Sequence, residues 1–140
     1  MREMLAQKSA CQPLDVGTRL TGQVVSGDQL GRTIGFPTAN LVITGSDKPQ
    51  YGIYASLVRL ADGRLFGGAT NFGVRPTFSP PKELLETYIF DFSEDIYGQY
   101  IDVELLRFLR PEAKFDALAD LIDQMKKDCS LAREIVASHV

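Results

Sequence analysis

Pro37-Thr38-Ala39-Asn40 is the short segment whose residue types best suit chemistry. Pro37 fixes its own φ and biases Phe36 toward an extended conformation. Thr38 and Asn40 stand two apart, so in an extended chain their side chains point the same way. A hydroxyl beside an amide carbonyl offers two neutral oxygen ligands. Mg2+ prefers oxygen and commonly takes few protein ligands, completing its shell with water and substrate phosphates. The same residue types also build Asx- and Ser/Thr-turns at strand ends, so on pattern alone both uses stay open. Around this segment Gly22, Gly27, Gly31 and Gly35 recur at short spacing. Exposed N–H groups in such a loop can bind phosphate, but the tight turns of a barrel use glycine equally well.

Familiar nucleotide and catalytic patterns narrow the chemistry by failing. Gly22 and Gly27 have the Gly-x-x-x-x-Gly spacing of a P-loop, but Asp28 and Gln29 stand where its lysine and Ser/Thr belong. Protein-kinase signatures are absent as well. The single histidine, His139, is the second-last residue, where chains usually fray. That removes the commonest general base and leaves a carboxylate, lysine, tyrosine or thiol. Cys11 and Cys129 are too far apart for a CxxC pair, which predicts free thiols in a reducing compartment.

Any such site must be carried by the β-type runs that dominate the chain from Arg19 to about Ser93. Leu20–Ser26, Gly52–Leu60 and Arg64–Phe72 are short, apolar and punctuated by glycine. Asp62-Gly63, between the second and third of these runs, is a strong hairpin signal, because a tight turn there needs positive φ. Leu84–Phe92 and Ile101–Leu109 read as another pair, joined by a turn at Asp95-Ile96-Tyr97-Gly98. Ile101, Val103 and Leu105 alternate with Asp102 and Glu104, giving one buried face and one wet face. After Pro111 the period changes. Phe115, Leu118, Ile122, Met125, Cys129, Ala132 and Val136 recur every three or four residues, which predicts an amphipathic helix packed on the sheet. The whole reads as an antiparallel sheet or small barrel followed by a helix.

Composition sets the outer bounds. A chain of 140 residues with 44% apolar content is the size of one domain and can bury a core without disulfides. A net charge of −3 argues against nucleic acid as a partner. No apolar run is long enough to span a bilayer. The N-terminus has no signal-peptide core. A soluble cytoplasmic protein is expected, with residues 1–18 as a tail or linker remnant and residues 19–140 as the domain.

Gly31-Arg32-Thr33-Ile34-Gly35-Phe36-Pro37-Thr38-Ala39-Asn40 resembles the signature of the riboflavin kinase (flavokinase) family, which is built around Gly-x-Pro-Thr-Ala-Asn. The likeness extends through Gly22–Asp28, Asn71–Phe78, Leu85–Phe92, Asp95–Gly98 and Phe108–Phe115. It covers roughly residues 19 to 133, with the motifs in family order. The resemblance implies a mainly β fold, a small six-stranded antiparallel Greek-key barrel with a C-terminal amphipathic helix packed against it. It implies phosphorylation of the riboflavin 5′-hydroxyl by ATP, with Mg2+ as the metal and FMN and ADP as products. By the same resemblance Thr38 and Asn40 hold the metal, and Gly22, Gly27, Arg32, Gly35, Pro37 and Thr38 meet the nucleotide. Glu86 is the general base. Arg110 and Phe115 lie on the flavin side, although Phe115 also fits the start of the helix stripe. Asn71 and Arg75 suit a structural role. Tyr88 departs from the pattern, since the family often has histidine there. In many bacteria this kinase is the C-terminal half of a bifunctional FAD synthetase, which makes an adenylyltransferase domain a partner in a longer chain. No FAD synthesis is expected of these residues. A flavin-binding module without catalysis is the alternative, and its mark would be loss of Thr38, Asn40 or Glu86. All three are present.

Overall fold

Asp62-Gly63 turns the chain as its residue types demand. In the computed structural model Gly63 has φ +94°, its N–H donates to the Leu60 carbonyl at 2.9 Å, and the Asp62 carboxylate accepts from the Arg64 N–H at 3.0 Å. The described residues are 17–25, 35–43, 48–75 and 82–139, excepting the side chain of Arg75. They form β1 (Arg19–Val25), β2 (Ala39–Val42), β3 (Gly52–Arg59), β4 (Leu65–Arg75), β5 (Lys82–Ile89), β6 (Tyr100–Arg110) and a helix, α1 (Leu118–His139). No helix among the described residues is long and apolar enough to cross a membrane.

The six strands close into a barrel in the order β1-β2-β5-β4-β3-β6, every neighbouring pair antiparallel. Consecutive strands β3, β4 and β5 lie side by side while β6 returns beside β3, which is a Greek key. This corrects one expectation. Leu84–Phe92 does not pair with Ile101–Leu109. Strand β5 lies between β2 and β4, and β6 lies between β1 and β3. The turn at Asp95–Gly98 is not a hairpin turn but docks on β1. Gly98 N–H donates to the Val24 carbonyl and Val24 N–H to the Gln99 carbonyl, both at 2.9 Å. The chain therefore crosses one end of the barrel before β6 begins.

Pleating then sorts the side chains. Leu41, Leu85 and Phe72 stand in one row across β2, β5 and β4, all fully buried inside the barrel. Ile101, Val103 and Leu105 point into the same core from β6, as their alternation predicts. Next to that row runs a line of buried hydroxyls. Ser56 Oγ meets Thr70 Oγ1 at 2.8 Å, and Thr70 Oγ1 meets Thr87 Oγ1 at 2.9 Å. These bonds satisfy three polar groups that burial would otherwise penalise, and they tie β3, β4 and β5 together at one register.

Helix α1 covers the outer face of β3 and β4. Ala132 packs on Ala55 and Phe90. Gly67 lets the helix come close, because a Cβ there would stand 2.9 Å from Val136 Cγ1. The helix begins at Leu118, so Phe115 precedes it, though the sequence pattern would have the stripe begin there.

Thr70→Val keeps the shape of the side chain but strips the Ser56 and Thr87 hydroxyls of their shared partner. A loss of about 1–3 kcal/mol is expected, read from urea unfolding. An unchanged midpoint would mean that the hydroxyl line carries no stability.

Candidate functional site

Because Leu85 and Thr87 face inward, Glu86 and Tyr88 must face outward. Glu86 lies directly across from Asn40 on β2 and from Asn71 on β4. A carboxylate is thus flanked by two amides in a single row on the outer face of the barrel. Both amides carry a buried side-chain oxygen with no hydrogen-bond partner. Asn40 spends its Nδ2 on the Thr38 carbonyl at 3.4 Å, which leaves Oδ1 as the unused acceptor.

An open cavity of about 260 Å³ lies over this row, between the strands and α1. Thr38, Asn71 and Glu86 supply its polar wall, while Phe36, Tyr88 and Phe115 supply aromatic surface. Phe36 and Tyr88 meet edge to face, with ring centroids 5.4 Å apart. Tyr88 in turn meets Phe90 at 5.8 Å. Such a mix, mostly apolar with a few convergent polar groups, is what a flat organic ligand requires.

Arg110 lines the cavity, but its guanidinium is already committed. It forms a two-pronged pair with Asp128 of α1, at 2.9 Å from Nε and 2.7 Å from Nη2. Its Nη1 donates to the Pro111 carbonyl at 3.1 Å, and its plane lies 5.9 Å from the Phe115 ring centre. Gln124 donates a further bond to Asp128 at 3.0 Å. One arginine therefore joins the end of β6, the segment 111–115 and the helix. Asp128 is only 7% exposed, and sequence reading passed it over. The available signal was an acid beside Cys129 on the apolar stripe of the helix. Cys129 also lines the cavity, and burial pushes its thiol up to about 11, so it stays protonated at neutral pH.

The other expected residues are dispersed. Gly35 has φ +94°, a conformation that favours glycine, and it delivers the chain to Phe36 and the exposed Pro37. Gly22 sits in β1 paired with Ile101, where its backbone lies against Leu41 and away from the cavity lining. Gly27 and Arg32 fall outside the described residues. Among the described residues no group of three His, Cys, Asp or Glu side chains could hold a metal. A cation here would need neutral oxygens, and the unpartnered Oδ1 of Asn40 beside Thr38 fits that need.

Comparison with known proteins agrees with this fold. A family model described as riboflavin kinase (flavokinase) matches residues 14–136. A bifunctional riboflavin kinase/FMN adenylyltransferase of Haemophilus influenzae is 46% identical over 115 residues, covering 82% of this chain and 37% of that protein. The chain spans about 37% of the length of curated relatives of that name. A solved Streptococcus pneumoniae structure, described as a macrolide-efflux protein, superposes with TM-score 0.74 at 37% identity, covering 82% of this chain and 38% of that one. The riboflavin kinase of Trypanosoma brucei shares the fold, with TM-score 0.58 at 24% identity over 85% of this chain and 76% of that one.

Asp128→Ala would strand the Arg110 guanidinium in a half-buried place. A loss of about 3 kcal/mol in unfolding free energy is expected. The double change Arg110→Met with Asp128→Leu is expected to recover most of it, because no unpaired charge remains. Equal stability of the single variant and the unmodified protein in urea would contradict this.

Proposed function

The chain belongs to the riboflavin kinase family, and from that premise we propose that it transfers the terminal phosphoryl group of ATP to the 5′-hydroxyl of riboflavin, giving FMN and ADP. The observation that carries this reading is the outward row of Asn40, Glu86 and Asn71, two of whose members open into an aromatic-walled cavity. A carboxylate with access to a cavity can take a proton. A flat apolar wall beside it can hold the ring system whose side chain bears the hydroxyl.

Phosphoryl transfer asks a protein mainly for positioning and charge stabilisation. In this proposal Glu86 accepts the 5′-hydroxyl proton as that oxygen bonds to the γ-phosphorus. The bond from the γ-phosphorus to the β,γ-bridging oxygen breaks, and ADP leaves with the electron pair. Thr38 and Asn40 would hold Mg2+, which when bound neutralises phosphate charge. The segment from Gly27 to Gly35, with Arg32, would meet the nucleotide. Phe36, Tyr88 and Phe115 would pack against the flavin. Arg110 acts at one remove, holding segment 111–115 to α1 through Asp128. The dependence on ATP fits a cytoplasmic setting. In a longer protein an adenylyltransferase unit would be the consumer of the FMN made here.

Riboflavin, ATP and Mg2+ mixed with the protein should yield FMN on chromatography. Riboflavin binding without any FMN would refute the kinase reading. Glu86→Gln is expected to lower kcat by about 100-fold or more with little change in the KM for ATP. Normal turnover in that variant would remove Glu86 from the role of base. Asn40→Ala should raise the Mg2+ concentration needed for half-maximal rate by about tenfold or more. An unaltered Mg2+ titration would take the metal away from Asn40.

A further inference from the structure

Asn71 poses a problem that the residues around it do not solve. Its Oδ1 is buried and accepts no hydrogen bond. Leaving a buried acceptor empty is unfavourable, and native structures rarely do so without a use for it. The neighbours on its own face can be named from the register. Along β4 they are Ala69 and Gly73, which bring no polar side chain. Across on β3 stands Ile53, and across on β5 stands Glu86. The Glu112 carboxylate lies over Gly73, against the place a Cβ would take. Ionised carboxylates only accept hydrogen bonds. Tyr88, across from Ala69, and Arg110, across from Ile53, are the donor-bearing side chains nearest this face; Arg110 is committed to Asp128 and Pro111, and among the described residues neither meets the Asn71 oxygen.

A donor can reach this residue from what enters the cavity, which Asn71 and Glu86 both line. The χ2 torsion of an amide is soft, so a ligand donor can be met by turning the group. Two acceptors side by side, one a carboxylate and one an amide oxygen, suit a ligand with adjacent hydroxyls. Asn40, on the far side of Glu86, carries a similar orphaned oxygen, but it is not part of the cavity lining. The two amides thus serve different sides of the carboxylate.

We infer that Asn71 is a polyol-binding residue: its side-chain oxygen accepts a hydrogen bond from a hydroxyl of the ribityl chain next to the one that reacts, which lays that chain across Glu86. This rests on the riboflavin kinase reading and goes further by assigning the acceptor that recognises the sugar-alcohol part of the substrate.

The test compares riboflavin with a flavin carrying a plain 5-hydroxypentyl chain, which keeps the reacting hydroxyl and lacks the others. Binding is read from flavin fluorescence, so it needs no turnover. The unmodified protein should bind riboflavin at least about tenfold more tightly than the hydroxypentyl flavin. Asn71→Ala should shrink that ratio by about tenfold by weakening riboflavin alone. Asn71→Asp, which keeps an acceptor, should preserve most of the ratio. Equal binding of the two flavins by the unmodified protein would overturn the inference without any variant being needed. An equal loss for both flavins in Asn71→Ala would reduce Asn71 to a structural role. A shift in the Mg2+ titration of Asn71→Ala with the flavin ratio intact would assign the oxygen to the metal and likewise overturn it. Absence of FMN production alongside an intact flavin ratio would defeat the kinase reading while leaving the polyol contact standing.

Discussion

The register of β5 between β2 and β4 is the constraint on which the cavity depends. A slip of one residue would carry Glu86 into the barrel interior and turn Leu85 out to the surface. The cost of such a slip is set by the buried row of Leu41, Leu85 and Phe72 and by the hydroxyl line from Ser56 through Thr70 to Thr87. The inward residues thus hold the outward ones in place. Glu86 needs no special backbone geometry to face the cavity, because its two chain neighbours are fixed in the core.

The second support is electrostatic and lies at the other wall. Arg110 and Asp128 are both mostly buried, and each would be unfavourable alone. Together they join the last strand to the helix and orient the segment that carries Phe115. A bidentate arginine–carboxylate pair also fixes an angle, which a single contact would not. This spends the charge of Arg110 on architecture. The other polar side chains of the lining include Thr38, Asn71, Glu86 and Glu112.

Arg110 and Asp128 thus neutralise each other, and Glu86 and Glu112 are the remaining charged groups of the lining. Neutral amide and hydroxyl oxygens can meet a cation or a donor hydroxyl without setting several carboxylates against one another. Their desolvation is cheaper than that of ions, and the two amide oxygens are held buried without a partner. Gly67 and Gly35 contribute at two points, one by letting α1 approach the sheet and one by bending the chain into Phe36.

Much of this was legible in the residues. The Asp62-Gly63 turn, the alternation at Ile101, Val103 and Leu105, and the C-terminal stripe are local patterns, and local sterics and burial decide them. That Asn40 and Glu86 lie on the same face of their strands also follows from a pleat that can be counted. The resemblance to a family supplied the barrel that those patterns left as a choice between sheet and barrel. What the sequence could not determine was which strands meet. Adjacency in the chain predicts that Leu84–Phe92 pairs with Ile101–Leu109, yet closure of the barrel sends them to different neighbours. For the same reason Asn71 reads from the sequence as structural and Asp128 is passed over. Each is an ordinary polar residue along the chain, and each gains its meaning from a partner on another element, Glu86 in one case and Arg110 in the other. The sequence by itself determined the strands and the helix and the residue types each of them carries. Only the tertiary structure decided the pairings, because they depend on contacts between residues far apart in the chain, which no local pattern encodes.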